Sequence, residues 1–128
     1  MRLLLDTHTF IWFIQDDPAL SEAALRMIED ADYQILLSIV SVWELGIKVS
    51  LRKINLPAPY DHFIDRQLLE NDIQVLPLSI AEIGYLSTLP FHHRDPFDRA
   101  LVAQSMVNSI PLISADQTLD RYGPTRLW

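Results

Sequence analysis

The 128-residue chain contains no cysteine, which excludes a disulfide framework and any thiolate metal site. Its three glycines, Gly46, Gly84 and Gly123, are too few and too scattered for a glycine-rich phosphate loop. No uncharged stretch approaches the roughly 20 apolar residues of a membrane span, so none is expected. The apolar opening Leu3–Leu5 imitates an export signal, but Asp6 and His8 cut it short. Positive charge is also scarce: ten Lys plus Arg stand against seventeen Asp plus Glu, a formal net charge of −7. A chain this acidic does not hold nucleic acid on a broad basic surface. Either its acids gather around cations, or a basic partner covers them.

What is present is the composition of an ordinary globular protein, 49% hydrophobic and 21% charged, read as one domain over residues 1–128. No repeat or low-complexity segment interrupts it, and a cytoplasmic location is expected. Short apolar runs alternate with helical spacing. Strands are predicted over Arg2–Leu5, Gln34–Leu37, Ile73–Leu76, Pro111–Ile113 and near Arg126–Leu127. Helices are predicted through Phe13, over Glu22–Ala31, from Ser41 to about Arg52, over Tyr60–Glu70, from Ser79, from Asp95-Pro96 to about Val107, and briefly from Gln117. Prolines within Asn55–Pro59 break the chain between two of these. The alternation implies a three-layer α/β/α domain with a mostly parallel sheet. Strands apolar throughout fit a sheet covered on both faces. In such sheets chemistry sits beyond the carboxyl ends of the strands.

Four acids are expected at that edge. Asp6 follows the first strand, Glu44 lies near the start of the helix after the second, Asp98 opens a later helix, and Asp116 follows the strand ending near Ile113. Converging carboxylates repel and drive one another to take up protons, and a divalent cation removes the conflict. Oxygen ligation suits Mg²⁺ or Mn²⁺, which polarise a phosphodiester and activate water. Three of the acids also have a plainer reading. Ser41-Val-Trp-Glu44 matches a capping box, as does Ser79-Ile-Ala-Glu82. Asp95 is a good N-cap before Pro96, Asp98 suits a helix dipole, and Asp116 can cap the helix after it. An acid ending a buried strand, Asp6, is hardest to explain without a partner.

Taken together, Leu3-Leu-Leu-Asp6-Thr7-His8, Ser41-Val-Trp-Glu44-Leu-Gly-Ile-Lys48, His93-Arg-Asp-Pro-Phe-Asp98-Arg99-Ala-Leu-Val-Ala103 and Ile113-Ser-Ala-Asp116 resemble the PIN-domain family, in particular its bacterial VapC-like toxins. The resemblance spans essentially the whole chain. It implies a Rossmann-like sheet of about five parallel strands, Mg²⁺- or Mn²⁺-dependent endoribonuclease activity, homodimers, and inhibition by a cognate antitoxin protein. It also implies that Asp6, Glu44, Asp98 and Asp116 form the acidic metal site, with in-line attack of metal-activated water on RNA. Asp95 departs from the general pattern by adding an acid beside Asp98. Counting back from Ala103 favours Asp98 as ligand and leaves Asp95 as N-cap or outer acid.

Around these, Thr7 and Ser114 either hydrogen-bond the cluster or make ordinary turn bonds. Arg99 either meets a phosphate or neutralises Asp95. Lys48, four residues after Glu44, reads as a helix ion pair. His92 and His93 lack the spacing of a zinc helix and read as surface residues. Trp12, Phe13 and Trp43 are expected in the core or a dimer interface. Two divalent ions would offset four of the seven excess charges, while Lys48, Arg52, Lys53, Arg94 and Arg99 supply local positive charge.

Two phosphate-handling alternatives fail on residues. A phosphate-switch receiver needs a late lysine, and none follows Lys53; a haloacid-dehalogenase-type phosphatase needs an acid where His8 stands. A catalytically silent PIN-like binding module, or a DNA nuclease of related fold, stays open.

Overall fold

The computed structural model describes the whole chain, Met1–Trp128. Its strands are β1 (Arg2–Leu5), β2 (Gln34–Ser38), β3 (Ile73–Leu76), β4 (Leu112–Ile113) and β5 (Arg126–Leu127). Its helices are α1 (Thr7–Ile14), α2 (Glu22–Glu29), α3 (Ile39–Ser50), α4 (Tyr60–Glu70), α5 (Ile80–Leu86) and α6 (Pro96–Asn108), with a 3₁₀ turn over Gln117–Tyr122. All five strands are parallel and lie in the order β3-β2-β1-β4-β5.

Why the central strands are so apolar is visible in the side-chain alternation. Leu3 and Leu5 of β1, with Ile35 and Leu37 of β2, face a core built with α1–α4 through Phe10, Ala24, Leu45 and Ile64. Leu4, Leu36 and Leu112 face the opposite core, built with α6 through Leu101 and Val102. Successive side chains on a strand point to opposite faces, so the central strands, covered on both sides, have few polar positions, while the edge strands β3 and β5 admit Gln74 and Arg126. Leu3, Leu4 and Leu5 are all fully buried, and truncating any of them to alanine costs on the order of 2–5 kcal/mol. No helix is long and apolar enough to cross a membrane.

Several ends shift by a residue or two, and the start of α3 moves with consequences for the site. Helix α3 starts at Ile39 and is capped by Ser38, whose hydroxyl accepts the Val40 amide at 3.1 Å. The Ser41–Glu44 capping box therefore does not form: Ser41 is buried inside the helix, and Glu44 falls in its second turn. Strand β2 runs directly into α3, so the serine at the junction takes the cap. The second box does form, with Glu82 Oε1 accepting the Ser79 amide and Ser79 Oγ accepting the Glu82 amide. Asp95 caps α6 and Pro96 occupies its first position, as expected.

Because every strand is parallel, every carboxyl end lies on one edge. The chain passes from β1 to β2 on one side and returns later to β4 on the other. The gap between β1 and β4 is thus the point where strand order reverses, the usual seat of a site in such sheets.

Candidate active site

Asp6 and Asp116 line the same crevice at that reversal, with His8, Trp12 and Ala115. Asp6 is buried and caps α1, its Oδ1 accepting the Thr9 amide at 2.8 Å. Asp116 caps the 3₁₀ turn. Its Oδ1 accepts the Thr118 amide at 3.0 Å and the Thr118 hydroxyl at 2.6 Å. Burial pushes its carboxyl up, but the Thr118 and His93 contacts outweigh that and hold it below the usual range. Both acids cap helical turns, Asp116 as its plainer reading held and Asp6 unexpectedly, and both face the crevice as well.

Glu44 reaches the edge from α3, buried to 5% exposure. Its Oε1 lies 2.7 Å from Thr7 Oγ1, and its Oε2 lies 3.1 Å from Lys48 Nζ. A threonine hydroxyl has one proton. With that proton on the Glu44 carboxylate, the 2.9 Å contact between Thr7 and Ser41 is Ser41 donating to Thr7. A buried chain of hydroxyls thus aims Glu44, and Lys48 neutralises it.

Asp98 stands in the first turn of α6. Its carboxyl is raised from 3.8 to about 7, chiefly by burial, then by the charge of Asp95 and, less, of Asp6 and Glu44, with His93 opposing. This acid therefore feels all these neighbouring carboxylates at once. Asp95 is otherwise engaged: its Oδ1 accepts the Phe97 amide at 2.8 Å and lies within reach of the Asp98 amide. Asp98 and Asp116 come together with His93, each offering one ligand-type atom within 4.8 Å of the others. Asp6 and Glu44 approach this group without joining its tightest cluster.

Three expectations need correcting. His93 is not a free surface residue: its Nε2 lies 3.1 Å from Asp116 Oδ2 and 3.4 Å from Asp98 Oδ2. Zinc-helix spacing was the wrong test, because the loop that delivers the α6 N-cap also delivers His93. The signal available was its place two residues before Asp95. His92 packs its ring on Tyr122, 5.0 Å between centroids.

Arg99 does not pair with Asp95, and its guanidinium is turned into the fold rather than toward a substrate. It is buried, donating to the carbonyls of Pro90 at 2.7 Å and Leu89 at 3.2 Å and to the Tyr122 hydroxyl at 3.1 Å, while its guanidinium covers Phe91. Five fixed donors suit a loop that presents several carbonyls, and that loop captures the side chain. Trp43 is 63% exposed, packed edge-on against Phe97 rather than in the core. Trp12 meets Trp128 edge-on and Phe13 packs on the core. Ser114 is buried, and its hydroxyl accepts the Asp116 amide at 3.1 Å, an ordinary turn bond that shapes the approach of Asp116.

On the other side of Glu44 an open groove is lined by Lys48, Lys53, Arg94, Asp95 and Phe97. Three of the chain's ten basic residues meet there. The arrangement as a whole offers oxygen donors, one repelled and partly protonated carboxyl, and a positively lined approach. That combination suits a divalent cation and a phosphate-bearing substrate.

A family model described as PIN domain matches residues 3–123. Ribonuclease VapC22 of Mycobacterium tuberculosis is 26% identical over 132 residues, covering 98% of each chain. Among solved structures, VapBC2 from Rickettsia felis, bound to a DNA fragment from its promoter, superposes with a TM-score of 0.72 at 16% identity. That match covers 96% of this chain and 94% of the other. FitAcB from Neisseria gonorrhoeae gives a TM-score of 0.65 at 18% identity, over 100% and 97%. A toxin–antitoxin complex from Klebsiella pneumoniae gives 0.66 at 16% identity, over 98% and 96%. At these identities the structures share a fold with this chain.

Proposed function

The chain belongs to the PIN-domain family, and from that membership we propose that it is a divalent-metal-dependent endoribonuclease, the toxin of a toxin–antitoxin pair. The carrying observation is the environment of Asp98, a carboxyl held near pH 7 by burial and by the surrounding acids Asp95, Asp6 and Glu44. Acids gathered at one point at such a cost call for a cation. The names of the relatives support the toxin reading, and the family match over residues 3–123 supports one catalytic unit over 1–128.

In this reading Asp6, Glu44, Asp98 and Asp116 hold Mg²⁺ or Mn²⁺. The donor set fits, since carboxylate oxygens are what these hard ions take. When bound, the ion activates water, offsets charge on the scissile phosphate and stabilises the leaving oxygen. The chain's own residues do the rest. Thr7 and Lys48 orient Glu44, the Thr118 amide and hydroxyl hold Asp116, and Asp95 fixes the start of α6 beneath Asp98. Lys48, Lys53 and Arg94 guide the RNA backbone along the groove toward the acids. Asp95 acts as cap and field rather than as ligand.

The homodimer and the complex with a cognate antitoxin belong to the same proposal. Ile39, Trp43 and Leu51, all exposed at spacings of four and eight residues along and just beyond α3, give a partner an apolar surface.

The test is Asp6→Asn. It should reduce Mg²⁺-dependent RNA cleavage to background while circular dichroism and the unfolding midpoint stay close to those of the parent. Full activity in a folded variant would overturn the site. Expression of the parent without its antitoxin should arrest growth, and Asp6→Asn should relieve the arrest; harmless expression of active, folded parent would overturn the toxin role.

A further inference from the structure

Both nitrogens of the His93 ring are engaged, and the partners differ in kind. Nδ1 lies 3.1 Å from the Asp95 backbone N–H, which can only donate, so Nδ1 carries its lone pair there. The proton of the ring then sits on Nε2. That Nε2–H points at Asp116 Oδ2, 3.1 Å away, with Asp98 Oδ2 at 3.4 Å. The loop holding the ring is itself fastened: the His93 amide donates to Tyr122 Oη at 2.9 Å, and Tyr122 Oη accepts Arg99 at 3.1 Å.

A nitrogen that carries a proton cannot ligate a metal, and a nitrogen that accepts the Asp95 amide points away from the acids. We infer that His93 is a positioning residue of the acidic site, not a ligand: its Nε2–H clasps Asp116 to the Asp98 side, and the Asp95 amide fixes the tautomer. This rests on the proposed metal-site reading and deepens it. Asp98 and Asp116 come from separate elements, α6 and the turn after β4, and when both are ionised neither has a proton with which to bond the other. A donor between them supplies the link. The arrangement also keeps the ligand set all-oxygen, which favours Mg²⁺ and Mn²⁺ over ions that seek imidazole. Orienting hydrogen bonds of this kind around metal ligands are worth about 10–100-fold in metal affinity.

The experiment is nitrogen NMR of the full-length protein labelled at histidine, metal-free and then with Mg²⁺ alone, alongside calorimetric Mg²⁺ affinities of His93→Gln and His93→Phe. The expected result is a protonated Nε2 in both states. His93→Gln, which keeps a donor, should stay within a few-fold of the parent, and His93→Phe should lose about tenfold or more. Loss of the Nε2 proton on Mg²⁺ addition, or equal losses in the two variants, overturns the inference while leaving the acidic site intact. A parent protein with no Mg²⁺-dependent shift at any residue overturns the site reading, and the role of His93 falls with it. The NMR arm needs no substitution, so misfolding of His93→Phe does not rescue the inference.

Discussion

Thr7 and Glu44 are joined by a buried hydrogen bond of 2.7 Å across 37 residues of chain, linking the first turn of α1 to the second turn of α3. The bond draws a carboxylate from one helix toward an acid, Asp6, that heads another. Replacing Thr7 with valine keeps the shape and removes the donor. The buried Glu44 acceptor then goes unmet, which costs about 1–3 kcal/mol. Thr7→Val should lower the urea midpoint accordingly and slow cleavage, and Thr7→Ser should restore both. If Thr7→Val matches the parent in both measurements, the hydroxyl does not orient Glu44.

The Asp98 carboxyl makes metal-free stability depend on pH in an unusual direction. In the unfolded chain it ionises near 3.8, and in the folded protein near 7. Between those values the folded form holds a proton that the unfolded form has released. Stability therefore falls as pH rises through this interval, at up to about 1.4 kcal/mol per unit from this group. Chelator-treated protein should unfold at lower urea concentration at pH 7.5 than at pH 5.5, and Asp98→Asn should flatten the difference. Mg²⁺ at about 100 times its Kd should add about 2.7 kcal/mol at the higher pH. A parent whose midpoint rises over this range, with Asp98→Asn unchanged, would count against the assignment.

The groove beside Glu44 predicts a split in kinetic constants. Lys53 and Arg94 line it and take no part in the proposed chemistry. The double variant Lys53→Ala, Arg94→Ala should raise KM severalfold with kcat nearly unchanged. The slope of log affinity for single-stranded RNA against log salt should become shallower by about 0.7 for each phosphate that is no longer neutralised. An unchanged slope means that the RNA takes another path.

Much of this was legible in the sequence. The spans Arg2–Leu5, Tyr60–Glu70, Ile73–Leu76 and Arg126–Leu127 coincide with observed elements, because burial makes the central strand runs largely apolar and prolines punctuate the rest. Asp95 before Pro96 marked a helix start for local reasons that tertiary structure did not override. What escaped were properties set by residues far apart in the chain. That β4 sits beside β1 depends on crossovers, and no local pattern encodes them. Ser38 displaced Ser41 as the cap because β2 and α3 abut without a loop. Arg99 sits beside an acid in sequence, yet the carbonyls of 86–90 capture it, and a chain written in one dimension does not show where carbonyls go unpaired. His93 was missed for the same reason: its partner Asp116 lies 23 residues away.

The pairing of β1 with β4 also carries a consequence in time. Leu4 and Leu5 find Leu112 and Ile113 only after most of the chain has been made, and Asp116 follows later still. During synthesis the sheet lacks one side of its central strand, and the crevice between Asp6 and Asp116 does not exist. Pairings this far apart in sequence form late and slowly. The nascent polypeptide therefore has no assembled crevice until β4 and the turn after it have joined the sheet, however early β1 and β2 have paired.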